Sequence, residues 1–158
     1  MIKLPTAFQV SECIRKITRR ETAVMVLAKP GPAKLPYGGT FHGGDRTVIA
    51  MCAADIAFAA YAGAALSLIP GESAQERVKA GVLDELLEEN FAEVLNVLTR
   101  IYVVPETARV ALLEPIFPPR AMPQTLELED VSATIVRADY QVEISAYGKG
   151  HLALWGRA

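Results

Sequence analysis

At 158 residues, with 51% hydrophobic and 22% charged side chains, the chain has the composition of one globular domain, read as spanning 1–158 and large enough to bury about two thirds of its unfolded surface. That balance argues against extended disorder, and a net charge of −2 gives no basis for nucleic-acid binding. Cys13, Cys52, His42 and His151 stand far apart, so there is neither a disulfide framework nor zinc-type ligand spacing, and free thiols in a reducing compartment are expected.

The N-terminal Met-Ile-Lys-Leu-Pro-Thr lacks the apolar core and cleavage pattern of a signal peptide, which makes the cytoplasm the expected compartment. Thr6 to Arg19 reads as an amphipathic helix with Ala7, Val10, Ile14 and Ile17 inward. Arg15, Lys16, Arg19 and Arg20, the one dense basic cluster, are then its wet side. Ala23 to Leu27 reads as a short buried strand. Lys29 to Gly44, punctuated by prolines and glycines, predicts irregular structure or a hairpin. Within it, Gly38-Gly-Thr-Phe-His-Gly-Gly-Asp45 lacks the Lys-Ser/Thr of a P-loop, and turn chemistry accounts for its glycines.

Val48 to Ile69 is apolar almost throughout, yet Asp55 would be costly in hydrocarbon. The segment divides more economically into a buried strand, Thr47 to Cys52, and a buried helix, Asp55 to Ile69, so no membrane insertion is expected. Small residues such as Ala59, Ala62 and Gly63 permit close backbone approach there, and Pro70-Gly71 stops the helix. Ser73-Ala-Gln-Glu76 has capping-box spacing and predicts a helix that breaks at Gly81.

The next helix, Val82 to Tyr102, carries the candidate site. On a helical wheel Leu83, Leu87, Phe91, Val94, Leu98 and Ile101 share one side, while Glu85, Glu89, Glu93, Asn96 and Arg100 share the other. Glu93 and Asn96 thus present a carboxylate and an amide as neighbours. A carboxylate pairs with a partner's cation; an amide donates and accepts hydrogen bonds and can hold a water. A plain solvated charged face accounts for the same pattern. Beyond it the chain reads as mainly β. Strands are expected at Ala108–Leu113, Ala133–Val136, Gln141–Ala146 and His151–Trp155, with a proline-rich link through Pro115, Pro118, Pro119 and Pro123 and a turn at Gly148-Lys149-Gly150. Tyr147 and Trp155 read as packing residues.

Glu93-Val-Leu-Asn96 resembles the Glu-x-x-Asn signature of the CheC/CheX family of chemotaxis phosphatases, in which Glu89 takes the place usually held by Asp or Ser four residues earlier. The order of elements, and Ala59 to Leu66 together with Glu89 to Asn96, are similar to small CheX-like proteins. Two departures stand out. Glu89 is longer than the usual residue, and Leu98-Thr99-Arg100 replaces the small residues that tend to follow the Asn. The N-terminal helix has Glu12 followed by Arg15 rather than Asn, the single-motif, CheX-like pattern.

The resemblance implies an α/β fold with long helices on a mostly antiparallel sheet, and a homodimer. The implied substrate is the aspartyl phosphate of a CheY-type receiver domain. Asn96 would orient the attacking water and Glu93 would pair with a receiver lysine, with Glu89 and Arg100 as partner-binding residues. Magnesium would come with the receiver, so no cofactor or metal of the chain's own is implied. The alternative is a CheX-like binding module without catalysis, in motility or two-component signalling, which the departures after Asn96 favour. No arginine-rich motif backs a third reading as a small-ligand sensor.

Overall fold

Helix α1 (Ala7–Thr18) starts where Thr6 accepts a hydrogen bond from the Gln9 amide and Gln9 accepts one from the Thr6 amide, a reciprocal cap that the sequence reading did not single out. In this computed structural model the described residues are 2–31, 34–102, 109–128 and 132–158. Helix α2 (Ile56–Leu66) is capped by Asp55, whose carboxylate accepts from the Phe58 amide at 2.8 Å. Its alanines are buried on nearly every side, and a Cβ at Gly63 would stand 3.0 Å from the Leu87 carbonyl oxygen. This small-residue surface is what lets helix α4 (Glu85–Leu98) lie directly against it.

Helix α3 (Gly71–Ala80) departs from expectation at its start. Ser73 does not cap it, because the first turn already begins at Gly71 and the Ser73 amide bonds to the Pro70 carbonyl. The helix ends as expected, at a left-handed Gly81 with φ 77°. Helix α4 is shorter than the wheel proposed: Asp84 caps it by accepting from Leu87, and a 3₁₀ turn, Thr99–Ile101, follows Leu98.

Six strands form one antiparallel sheet in the order β1-β5-β6-β3-β2-β4. They are β1 (Thr22–Leu27), β2 (Tyr37–His42), β3 (Val48–Ala54), β4 (Ala111–Ile116), β5 (Ile135–Ile144) and β6 (Gly148–Arg157). Four expectations change here. Strand β1 is an edge strand rather than a buried one, with Met25 and Val26 more than half exposed. Gly38 and Gly39 belong to β2, where a Cβ on Gly38 would come within 2.0 Å of the Cys52 carbonyl oxygen, so close packing and not turn chemistry explains Gly38. Pro115 lies inside β4, at the other sheet edge, where a missing ladder donor is tolerated.

The last change concerns the final hairpin. One ten-residue β5 runs through the gap expected at 137–140, and the turn is Ser145–Tyr147 with Ala146 at φ 71°. Gly148-Lys149-Gly150 already belongs to β6. Gly150 is small because a Cβ would strike the Phe58 backbone at 2.4 Å. Ala108 lies outside the described residues.

The helices cover one face of the sheet. Val10, Ile14, Phe41, Phe58, Phe91, Leu95, Tyr140 and Leu154 meet there in the main core. The opposite face carries a smaller cluster of Met51, Ala153, Leu126 and Trp155, roofed by Leu35, Met122 and Leu128. Among the described residues no helix is long and apolar enough to cross a membrane.

The topology has an approximate two-fold axis. Reversing the strand order exchanges β1 with β4, β5 with β2 and β6 with β3, and overlaying Thr22–Leu27 on Ala111–Ile116 places the axis at the Ala53–Ala153 pair. Helices α1 and α4 correspond under the same operation. Val10, Cys13 and Ile14 occupy the buried spacing of Phe91, Val94 and Leu95. With that alignment Glu12-Cys-Ile-Arg15-Lys-Ile-Thr18-Arg19 stands against Glu93-Val-Leu-Asn96-Val-Leu-Thr99-Arg100.

Candidate functional site

What aims the α4 stripe outward is its buried side. Leu87, Phe91, Val94 and Leu98 are buried, as the helical spacing requires. Phe91 packs edge-on to Phe58 at 5.9 Å and against Phe117 at 6.1 Å. Asn90 fixes the rotation of the helix further, donating to the Gly63 carbonyl and to the Ser67 hydroxyl at 2.9 and 2.8 Å. With α4 held in this way, Glu89, Glu93, Asn96 and Arg100 are all exposed. None of the four side chains forms a hydrogen bond or ion pair among the described residues.

The residues after Asn96 alter this surface less than their bulk implies. Leu98 is fully buried, and Thr99 is nearly so, its hydroxyl donating to the Asn96 carbonyl at 2.7 Å. Only Arg100 of the three reaches solvent. The surface departure is therefore one added cation, a helical turn beyond the amide.

The corresponding place on α1 is chemically closed. Arg15 donates to both Glu12 oxygens, at 3.1 and 2.8 Å, so carboxylate and cation satisfy each other within one helix. The Arg15 guanidinium holds the Glu12 carboxyl below its usual range. The repeat extends to the buried Thr18, whose hydroxyl donates to the Ile14 carbonyl at 2.7 Å, much as Thr99 does in the second half. The sequence already sets Glu12 and Arg15 against Glu93 and Asn96; the threonine and arginine that follow extend that correspondence.

A second polar cluster, which the sequence reading missed, sits on the opposite face of the sheet. His151 Nε2 lies 2.7 Å from Asp139 Oδ1, and Arg137 reaches both Asp139 oxygens at 2.9 Å while stacking 4.5 Å above the Trp155 ring. Burial opposes the Asp139 charge, but the hydrogen bonds from Arg137 and His151 outweigh it and hold the carboxyl below the ordinary aspartate range. Only strand register brings these residues together. The equivalent half-one positions are Gly38 and Met51, since Gly38 pairs with Ala53 as Asp139 pairs with Ala153. Among the described residues no group of three or more His, Cys, Asp and Glu could hold a metal ion.

Chemically, the α4 site is a ridge and not a cleft. It offers an anion and an amide one turn apart, and among the described residues neither Glu93 nor Asn96 lines a pocket.

No protein-family model and no curated protein matches the chain by sequence. Solved structures match it by fold. A chain of the H. pylori FliM–SpeE complex has a TM-score of 0.63 at 8% identity, over 96% of this chain and 81% of that one. The H. pylori FliM middle domain gives 0.58 at 10% identity, over 96% and 84%. Thermotoga maritima FliY gives 0.53 at 11% identity, over 95% and 83%. Identities this low speak to architecture alone, and on architecture they agree: the chain has the α/β fold that FliM and FliY domains share with CheC and CheX.

Proposed function

We propose that the chain is a CheX-like phosphatase acting on the aspartyl phosphate of a CheY-type receiver domain. The observation that carries this reading is the Glu93–Asn96 pair, exposed and without a side-chain partner among the described residues, on an anchored helical ridge. Inserted beside the phosphoryl group, the Asn96 amide holds a water in line with phosphorus. The water oxygen bonds to phosphorus as the P–O bond to the receiver aspartate breaks, releasing inorganic phosphate and restoring the carboxylate. Glu93 pairs with a receiver lysine and fixes the approach, with Glu89 and Arg100 on the contact surface. Magnesium belongs to the receiver. The FliM neighbours are seen in complexes with SpeE and with FliG, which supports reading this architecture as one that docks other proteins.

Arg100 favours a second reading, a binding module without catalysis, because it adds a cation beside Asn96. Phosphate release from phosphorylated receiver domains, followed with and without the protein, separates the two. Acceleration that Asn96→Ala removes, with binding retained, supports the phosphatase. Binding without acceleration supports the module, and neither binding nor acceleration ends both readings.

A further inference from the structure

A groove of about 610 Å³ runs between α1 and the end of α4, lined by Phe8, Glu12, Cys13 and Lys16 on one side and by Val97 and Arg100 on the other. Its floor is apolar, and Phe8 stands at its edge 73% exposed, the most exposed large hydrophobic side chain among the described residues. Its charge is not balanced. Glu12 is neutralised by Arg15, whereas neither Lys16 nor Arg100 forms an ion pair among the described residues.

The approximate two-fold sharpens the point. The α1 side of this groove corresponds to the α4 stripe from Glu89 to Val97. Where α4 presents Glu89 and Val97, α1 presents Phe8 and Lys16. The α4 stripe carries two unpaired carboxylates among the described residues, whereas its α1 counterpart carries an exposed ring and the unpaired cation of Lys16, and so selects a different occupant.

We infer that this groove is a docking site for a helical segment of another protein, apolar on one face and rich in carboxylates beside it. Leucine-like side chains would meet Phe8, Val97 and Cys13, and carboxylates would meet Lys16 and Arg100. Two rival occupants fit less well. A bilayer needs a protruding surface, while this one is recessed between helices. A second copy of the chain offers acids and the exposed Leu86 on α4, but docking it would bury the face that carries Glu93 and Asn96; on that point alone the inference rests on the proposed function.

The test uses the full chain and a fluorescein-labelled helical peptide with leucine along one face and glutamate elsewhere, against a twin carrying lysine for glutamate. Fluorescence anisotropy is expected to show the glutamate peptide binding at least about tenfold more tightly than the lysine peptide, with Lys16→Glu/Arg100→Glu reversing that order. Phe8→Ser is expected to weaken both. Unchanged melting and circular dichroism establish that the variants fold, and Lys16→Gln/Arg100→Gln replaces the reversal if it does not. Absence of peptide binding, or binding indifferent to these substitutions, overturns the inference. So does the same charge dependence appearing instead in sedimentation of the protein alone, which would mean self-docking, or in binding to phosphatidylglycerol vesicles, which would mean a membrane. Because Arg100 also lies on the proposed receiver contact surface, Lys16→Glu alone is measured beside the double variant: charge dependence that persists there belongs to the groove, and Asn96→Ala, outside the groove lining, tests the phosphatase reading separately.

Discussion

Helices α1 and α4 answer the same structural demand with different surfaces. Each buries three residues at matching positions, and a buried threonine whose hydroxyl bonds back into the helix, followed by arginine, closes α1 and comes directly after α4. On α1 the outward carboxylate is consumed by Arg15; on α4 it has no partner among the described residues and stands beside an amide. The inward positions define the fold in both halves, and a handful of outward positions decides what each half can touch.

The two sides of that comparison respond differently to mutation. The largest effect is expected in the core: Phe91→Ala, which removes a ring from between Phe58 and Phe117, costs about 3–5 kcal/mol, while Val10→Ala at the α1 equivalent costs about 2 kcal/mol. Urea unfolding midpoints measure both, and equal costs would show that the halves share the core load evenly. At the surface, Asn96→Ala should lower the acceleration of receiver dephosphorylation on the order of a hundredfold, whereas Arg15→Ala leaves it unchanged. A comparable loss in Arg15→Ala would make α1 part of the reacting surface.

Asp139 tests where the sheet halves diverge. Its carboxyl is held below the ordinary aspartate value of 3.8, so its stabilisation is present above that pH and is lost as pH falls through the lower folded-state value. Asp139→Asn should cost about 1–3 kcal/mol at neutral pH, and the gap to wild type should narrow as pH drops below 3.8. A gap that stays constant across that range would show the loss to be one of packing. Thr18→Val and Thr99→Val, which remove the back-bonded hydroxyls, should each cost about 1 kcal/mol. The smallest effect belongs to Arg15→Ala, whose exposed ion pair should leave the melting temperature unmoved.

Much of this was legible from spacing. The period of Leu87, Phe91, Val94 and Leu98 sets which side of α4 is buried, and so Glu93 and Asn96 are exposed as expected. The cap at Asp55 and the stop at Gly81 follow from local chemistry. What was not legible depends on partners distant in sequence. Gly38-Gly39 reads locally as a turn, and only a neighbouring strand's carbonyl explains why Gly38 has no side chain. Burial of β1 failed because an apolar run does not say whether a second strand lies beyond it. Arg137, Asp139 and His151 become a cluster only through the register of β5 on β6.

The exchange of edge strands between the halves also governs the order in which the molecule can assemble. Strand β1 pairs with β5, joining Thr22 to Ile144, and the Ile2 amide donates to the Arg157 carbonyl at 2.8 Å. The opening segment of the chain therefore has no sheet to join until the closing hairpin exists. During synthesis α1 and β1 must wait for a strand made much later, and such long-range pairing makes folding slow. A chain stopped before β6 lacks the partner of both β5 and β3, which leaves the sheet open at its centre.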